Sequence, residues 1–420
     1  MTEKLLQYLW NYKIFNRIDF KDTLGRDLEI IQFGTWNTNA GPDFLLGKIK
    51  IENIDIAGSI ELHLKSSDWL AHQHSQDKAY DNTILHVVYF HDVEIDDLVK
   101  KNVPTLELKS YIDRAILMKY ETLSEVHDFI PCQSIFEPEK VPFQFSEEGV
   151  LQKLDEKSIA IEQRLSRFKN NFEAVLFHSL AYAFGLKINA EIFQQLAESL
   201  DFTVVQKIRQ NREQLEALFY GTAGWLDDPK DHQSKRWIQE FQFLKSKFNL
   251  NNNLFQPRFL RLRPPNFPTL RLSQLAGLYH QEVHLFSKIM NAKKLDDLYA
   301  VFSNIKASEY WDNHFNFGKI STQVSEKSLS RDFIHLLIVN AVLPMIYAYK
   351  KNQNEDVVDD LMKMYAEIPA EDNHLIRRWK ELGLNMHSAL DSQAYLFHYK
   401  NYCLEKKCLN CSIAFQLLKS

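Results

Sequence analysis

One strand-like segment, Ile56–Trp69 (IAGSIELHLKSSDW), concentrates side chains that could carry out acid–base or metal chemistry. Because side chains alternate between the two faces of a strand, Glu61, His63 and Lys65 would share one face. The residues between them are apolar and would pack on a core. The polar face would present a carboxylate, an imidazole and an amine in a row. The same alternation is also typical of a plain solvated sheet face.

A second carboxylate, Asp43, follows Pro42 at the start of the preceding strand-like segment. Neighbouring strands lie about 5 Å apart, so Asp43 and Glu61 could converge on one ion. Two carboxylates suit Mg²⁺ or Mn²⁺, and such an ion can polarise a phosphate and activate a bound water. His63 or Lys65 could then orient or deprotonate that water. The spacing therefore predicts a metal-dependent hydrolytic site.

Two further histidines, His72 and His74, follow this strand. In a helix over residues 68–76 they would not share a face, whereas in a loop both could reach the ion or a phosphate. His72 is therefore included among the candidate catalytic residues. For His74 we favour the structural interpretation, a capped helix with Trp69 as its core anchor. His86 lies in an apolar strand-like run and is predicted to be a hydrogen-bonded core histidine.

The four cysteines indicate a second candidate metal site. Cys403, Cys408 and Cys411 have the spacing C-x4-C-x2-C, and C-x2-C is a spacing of metal ligands. Cys132 would complete four thiolate ligands for zinc or an iron–sulfur cluster. The alternative is four reduced thiols, with Cys403 and Cys411 in the core of a terminal helix.

The stretch from Phe241 to Gln281 contains no Asp or Glu. Arg258, Arg261, Arg263 and Arg271 are interleaved there with phenylalanines, which suits phosphate contacts and base stacking. The alternative is that the phenylalanines are core residues and the arginines pair with acids from elsewhere. The stretch predicts a nucleic-acid surface, with DNA as the favoured partner.

The overall composition limits the class of protein. The chain has 420 residues, enough for two or three domains, and its 45% hydrophobic and 25% charged residues are ordinary for a soluble globular protein. The formal net charge of -5 means that a nucleic-acid partner would need a local basic surface. Four cysteines in a chain of this length are too few for a disulfide scaffold. The N-terminal residues lack the succession of a cationic region, an apolar region and small residues that is typical of a signal peptide.

The most apolar run, Phe333–Tyr349, contains His335, Asn340 and Pro344. These residues favour a buried core helix over a membrane span. We therefore expect a cytoplasmic protein without a membrane partner.

Hydrophobic periodicity predicts two regions that differ in secondary structure. The first, residues 1–138, is expected to contain these elements in order: a helix at 3–13, strands at 28–33, 44–51 and 54–64, a helix at 68–76, a strand at 83–90 and an edge strand at 105–109. The second, residues 139–420, is expected to be helical, with an extended stretch at 255–268. Its predicted helices are 147–171, 172–185, 189–200, 202–220, 232–248, 270–291, 294–304, 329–351, 354–367 and 373–382.

The order helix, strand, Pro-Asp, strand, Glu-x-His, helix, strand resembles the PD-(D/E)XK nuclease superfamily. That fold has a helix, a hairpin carrying the Asp and the (D/E)-x-K, then a helix and another strand. The resemblance implies that Asp43 and Glu61 are metal ligands and that His63 stands where the family's lysine usually sits. Loss of this lysine also occurs in inactive domains of the superfamily, and Lys65 on the same strand face could compensate for it.

A second likeness lies in Pro42-Asp43-Phe44 followed by Trp69-x-x-His72-x-His74. This pattern is similar to that of the very-short-patch repair endonucleases, a branch of the same fold that uses histidines. The whole chain also resembles a bacterial family known only as a domain of unknown function. The shared phrases are GPDF, IELHLKSSDW, YDNTILHVVYF, RLRPPNFPTLRL and the cysteine-bearing tail.

These resemblances imply an α+β protein: a restriction-endonuclease-like α/β domain followed by a mostly helical domain. The expected activity is metal-dependent cleavage of phosphodiester bonds. The alternative is a catalytically inactive protein of the same fold that binds nucleic acid or acts as a scaffold.

Overall fold

The computed structural model describes residues 1–123, 128–251 and 255–419, and its chain divides into two compact units. The sheet unit comprises residues 1–143, 378–384 and 398–420, and the helical unit comprises residues 144–377 and 385–397. The first division lies close to the predicted boundary at residue 138. The C-terminal residues, which were predicted to belong to the helical domain, group instead with the sheet.

The sheet unit contains a mixed sheet in the order β1-β3-β4-β5-β6, with the short β2 also paired to β3. β1, β3 and β4 pair antiparallel, whereas β4, β5 and β6 pair parallel. The predicted strands and the first helix are present, with small shifts at their ends. The elements in chain order are α1 (Glu3–Tyr12), β1 (Leu28–Gln32), β2 (Thr35–Trp36), β3 (Phe44–Ile51), β4 (Ile54–Lys65), α2 (Asp68–Ala71), β5 (Thr83–Phe90), α3 (Asp96–Lys100), β6 (Thr105–Glu107) and α4 (Arg114–Thr122).

The hairpin between β3 and β4 sets the register of the later site. Its two turn residues, Glu52 and Asn53, both have positive φ, 47° and 64°, as a tight two-residue hairpin turn requires. Ile51 pairs with Ile54, and the ladder places Phe44 opposite Ile60. Because the two strands run antiparallel, this register brings Asp43, which precedes Phe44, beside Glu61, which follows Ile60.

Beyond residue 144 the described chain is mainly helical, apart from one short strand pair, His314–Asn316 with Lys319–Ile320. The fold is therefore α+β, with an N-terminal sheet and a mostly helical later part. The elements are α5 (Phe145–Arg167), α6 (Phe172–Phe184), α7 (Leu186–Glu198), α8 (Phe202–Ile208), α9 (Arg212–Thr222), α10 (His232–Phe248), α11 (Pro268–Gln281), α12 (Leu285–Met290), α13 (Leu295–Phe302), β7 (His314–Asn316), β8 (Lys319–Ile320), α14 (Arg331–Leu337), α15 (Leu343–Asn352), α16 (Val358–Glu367), α17 (His374–Glu381), α18 (Ala389–His398) and α19 (Ser412–Lys419).

Local capping explains where the predicted helices differ from the observed ones. The predicted helix 202–220 is two helices, because the Asn211 side chain accepts from the Gln214 N–H and begins α9 there. The predicted helix 68–76 ends at Ala71, since Gln73 has a φ of 60°. The helices α4, α18 and α19 were not predicted, and residues 255–263 form no helix or strand, as expected.

The long apolar helix of the helical unit runs from Arg331 to Asn352 through one π-helical turn at Ile338–Val342. By length and composition alone it could cross a membrane, since its 22 residues have an apolar window of mean hydropathy 1.5. However, 72% of that window is buried inside the structure, as in the core helix of a soluble protein. The prediction of a core helix is supported, and the cytoplasmic location stays a prediction.

One lysine lies inside the helical unit. Lys153 on α5 is 8% exposed, and its ammonium donates to Asn340 Oδ1 at 3.2 Å and to Gln393 Oε1. Burial lowers the pKa of Lys153 from 10.5 to about 7. A neutral amine still has two hydrogens for these acceptors, so deprotonation keeps the contacts and removes the buried charge.

This burial predicts a pH-dependent stability. Between about 7 and 10.5 the unfolded chain holds the Lys153 proton and the folded chain does not, so the free energy of unfolding should rise with pH. The slope contributed is at most about 1.4 kcal/mol per pH unit. When the free energy of unfolding is measured with urea between about pH 7 and 10.5, the Lys153→Met variant should lose the contribution of Lys153 to the increase with pH. The matched variant Lys363→Met, changed at an exposed position on α16, should keep this increase with pH. An equal dependence of unfolding free energy on pH in both variants would show that Lys153 does not cause it.

Candidate metal centre

Two carboxylates lie side by side across the β3–β4 hairpin. The Asp43 N–H donates to Glu61 Oε2 at 2.9 Å, and the Leu62 N–H donates to Asp43 Oδ2 at 3.1 Å. Gln7 of α1 donates through Nε2 to Asp43 Oδ1 at 2.8 Å. The reciprocal contacts follow from the hairpin register, and Asp43 and Glu61 are neighbours as the sequence predicted.

Three imidazoles gather on the same side of β4. His63 Nε2 lies 3.2 Å from His72 Nδ1 and 3.2 Å from His74 Nε2. Glu61 Oε1 lies 3.3 Å from His74 Nε2 and 3.6 Å from His63 Nε2. The ligand atoms of His63, His72 and His74 all lie within 4.8 Å of one another.

Hydrogen bonding alone does not account for this convergence. A ring nitrogen carries at most one hydrogen, yet His63 Nε2 faces two other ring nitrogens and a carboxylate oxygen. A tetrahedral zinc ion with bonds of about 2.0 to 2.1 Å separates its ligand atoms by about 3.3 Å. The observed spacings match the edges of such a polyhedron, so the cluster has the geometry of a coordination shell.

A fourth imidazole orients the central one. His63 Nδ1 lies 2.9 Å from His86 Nε2, and His86 is fully buried on the neighbouring parallel strand β5. When the Nδ1–H of His63 donates to His86, His63 Nε2 keeps its lone pair for an ion. His86 is thus the hydrogen-bonded buried histidine that the sequence predicted, and it contacts the candidate ligand directly.

The loop after β4 explains how His72 and His74 both reach His63. His72 caps the C-terminal end of α2, and the left-handed Gln73 reverses the chain so that His74 begins a new short turn. Trp69 donates through Nε1 to Ser75 Oγ at 3.0 Å, which fixes this loop. The loop alternative for His72 and His74 therefore describes the structure, and the structural role favoured for His74 stays a prediction.

The polar face of β4 is buried rather than solvated. Glu61 is 5% exposed, His63 1% and His74 8%, whereas His72 is exposed at the rim. Tyr80 stacks on the His74 ring with centroids 3.8 Å apart and covers it from one side. The alternative of a solvated sheet face therefore does not apply to Glu61 and His63.

Burial sets the protonation of the imidazoles. Burial, followed by the neighbouring His86, His74 and His72, lowers the pKa of His63 to about 2. It lowers the pKa of His74 to about 4 and that of His86 to about 3 in the same way. The three rings are therefore neutral at pH 7, the form in which imidazole binds metals.

The carboxylates have the opposite shift. Burial, followed by the charge of Asp43, raises the pKa of Glu61 to about 9. Burial raises the pKa of Asp43 to about 6, although the hydrogen bonds from Gln7 and the Leu62 N–H lower it. A bound cation reverses such shifts, because it favours the ionised carboxylates.

Lys65 lies apart from this arrangement. Its side chain is exposed at the end of β4, and among the described residues no contact joins its ammonium to Asp43 or Glu61. Its backbone N–H donates to Asp68 Oδ2 at 2.9 Å. The expected compensation for the missing lysine is therefore not formed.

Helix α1 supplies two polar residues that the sequence analysis missed. Gln7 holds Asp43, and Glu3, one turn earlier, has its pKa raised by burial and lowered by the nearby His72. Their spacing in a helix was visible, but nothing in the sequence indicated which face of α1 would cover β4.

The predicted nucleic-acid contacts lie in the helical unit. Arg258, Arg261 and Arg263 are exposed, and among the described residues no carboxylate pairs with them. Buried Asn189 holds the segment, because it exchanges hydrogen bonds with the Arg258 backbone at 2.8 and 2.9 Å. Residues 252–254 of the acid-free stretch lie outside the described residues.

Arg271 does not join the other three arginines on the surface. It is 5% exposed, its guanidinium lies 3.5 Å from the centroid of the Phe333 ring, and it donates to Gln274 and Asn266. Burial lowers its pKa to about 9. A phosphate could reach this side chain only if the core opened, so Arg271 is a core residue and not a surface contact.

Residues 3–374 match the family model described as protein of unknown function (DUF2851), and the chain belongs to this family. No curated protein and no solved structure matches the chain. The predicted membership of a family of unknown function is confirmed. The nuclease resemblance of the N-terminal part stays a prediction.

The geometry predicts one tight divalent-metal site in the sheet unit. Calorimetric titration with Zn²⁺ or Mn²⁺ should show one ion per chain, and His63→Ala and Glu61→Gln should each abolish binding because each removes a central donor. His232→Gln, at an exposed histidine of the helical unit, is the control and should bind as the original protein does. Unchanged binding in both site variants would disprove the assignment.

Proposed function

We propose that this DUF2851 protein is a metal-dependent phosphodiesterase that cleaves nucleic acid, with DNA as the first substrate to test. The observation that carries the proposal is the convergence of Glu61, His63 and His74 on one point beside Asp43. Such a set can hold a divalent ion and leave a position for a phosphate oxygen or water.

The order of elements supports the nuclease interpretation. Helix α1 is followed by the hairpin that carries Asp43 and Glu61, then by α2 and the parallel strand β5. This is the order expected of the PD-(D/E)XK superfamily. The support comes from chain order, strand direction and the positions of the two carboxylates together.

The donor set bears on the identity of the ion. Imidazole nitrogens favour Zn²⁺ and similar transition metals, whereas carboxylates alone favour Mg²⁺ or Mn²⁺. The mixed set of Glu61, His63 and His74 therefore supports Zn²⁺ or Mn²⁺ over the Mg²⁺ expected from Asp43 and Glu61 alone. The ion would polarise the scissile phosphate and acidify a bound water.

Other residues of the protein would orient the ligands, transfer protons and bind phosphate. His86 fixes the orientation of His63, and Gln7 fixes that of Asp43. His72, exposed at the rim and 3.2 Å from His63, is placed to exchange a proton with the reacting water or the leaving group. Arg258, Arg261 and Arg263 would contribute phosphate contacts from the helical unit.

A second candidate function rests on the same cluster. If His72 also binds the ion, four protein ligands close the shell, which is typical of a structural metal site. The exposed Lys65 and the histidine in the usual lysine position favour this alternative. The protein would then bind nucleic acid without cutting it, with a salt dependence that decreases when the three exposed arginines are replaced.

His72 separates the two functions. In the nuclease, His72→Ala should keep metal binding and lower the rate of cleavage of a labelled DNA duplex or single strand about 10²- to 10⁴-fold. In the structural alternative, it should weaken metal binding, and the unaltered protein should not cleave. Asp43→Asn should abolish cleavage in the nuclease, and full activity in that variant would rule out the proposed site.

Gln7 tests the role of helix α1. Gln7→Ala should lower the cleavage rate about 10- to 100-fold, the usual effect of losing a residue that orients a functional side chain. Gln76→Ala, an exposed glutamine near His74, is the matched control and should retain the rate. Equal rates in both variants would show that Asp43 needs no support from α1.

A further inference from the structure

The four cysteines, which the proposed function does not use, lie together in the sheet unit. Phe129, just before Cys132, stacks on Tyr399, just before Cys403, with ring centroids 5.1 Å apart. This contact joins the two chain segments that carry the cysteines, although they are far apart in sequence. Cys408 and Cys411 follow Cys403 in the same returning segment.

The thiols are near enough to influence one another. Burial, followed by the neighbouring Cys411 and Cys408, raises the pKa of Cys132 to about 12. Burial likewise raises the pKa of Cys403, and the next contributions come from Cys411, Cys132 and Cys408. Each of these effects acts through space, so the four sulfurs occupy one common region.

The backbone around Cys411 suits a bound thiolate. The Ala414 N–H points at Cys411 Sγ at 3.4 Å from the first turn of α19, and the Cys411 N–H closes a turn onto the Cys408 carbonyl at 3.1 Å. His398 Nε2 lies 3.2 Å from Cys411 Sγ. Such N–H donors around a ligand sulfur tune the metal group that it holds.

The order of the cysteines along the chain favours one kind of metal group. Cys403, Cys408 and Cys411 follow the spacing C-x4-C-x2-C. Together with one distant cysteine, here Cys132, this is a ligand spacing of iron–sulfur proteins.

We propose that Cys132, Cys403, Cys408 and Cys411 bind an iron–sulfur cluster that fastens the C-terminal segment, residues 398–420, to the sheet unit. Besides the contact of Tyr399 with Phe129, the Lys119 ammonium donates to the Leu417 carbonyl at 3.1 Å, and Tyr12 lies against Phe415 with ring centroids 5.0 Å apart. The cluster would add covalent ligation to these weak contacts.

The first test uses the full-length protein purified without oxygen and reconstituted with iron and sulfide. Iron and acid-labile sulfide should be bound in equal amounts, with a broad visible absorption that bleaches on reduction with dithionite. Zinc bound at the cysteines in place of iron, or no metal after reconstitution, would overturn the proposal.

The second test locates the ligands. Cys408→Ser and Cys132→Ser should each lose the visible absorption, whereas Ser134→Ala, an exposed neighbour of Cys132, should keep it. His63→Ala should also keep it, so failure of the proposed nuclease site and failure of the cluster can be told apart. Full absorption in both cysteine variants would overturn the ligand assignment.

The third test measures the mechanical role of the cluster in the unaltered protein. Limited proteolysis should cut within residues 398–420 of the cluster-free form much faster than in the reconstituted form, because the ligands hold both segments. Equal cleavage rates in the two forms would show that no cluster fastens this segment.

Discussion

The sheet unit is organised around one electrostatic constraint: the carboxyl group of Glu61 is buried together with the imidazoles of His63, His74 and His86. Polar groups removed from water are costly unless they are partnered. Glu61 Oε2 accepts from the Asp43 N–H, but the other partners of Glu61 and His63 are neutral imidazole rings. Among the described residues, no buried ammonium or guanidinium pairs with them. The divalent cation that we propose would supply the missing positive charge at the point where the lone pairs meet.

Helix α1 links this constraint to the opposite end of the chain. One side of α1 contributes Gln7 to the metal centre, while Tyr12 contacts the C-terminal helix through Phe415. Buried Tyr8 lies near enough to Cys411 for that thiol to raise its pKa, after the larger effects of burial and Tyr12. The position of Asp43 thus depends on a helix that the cysteine-bearing segment helps to hold. Both contacts of α1, with Asp43 and with the C-terminal segment, join residues that are far apart in sequence.

The parts of the site that follow local rules could be predicted from the sequence. Alternation along β4 placed Glu61 and His63 on one face, and the hairpin placed Asp43 beside them. His74 could not be assigned, because its direction depends on the left-handed Gln73 and on the bond from Trp69 to Ser75. Arg271 was expected on the surface because charge usually indicates exposure; its burial over Phe333 is a tertiary contact with no local pattern.

In the proposed nuclease interpretation, His63 stands where the superfamily usually has a lysine. A lysine there would bring an ammonium, which orients water but cannot bind a metal while protonated. His63 brings a lone pair instead, and His86 behind it fixes the tautomer. In the proposed metal site, His63, His72 and His74 would add imidazole donors to those of the two carboxylates. Such a centre would have fewer open positions and a stronger preference for a transition metal than a pair of carboxylates. In the proposed nuclease, proton transfer would then need a group at the rim, and the exposed His72, in contact with His63, is accessible to water.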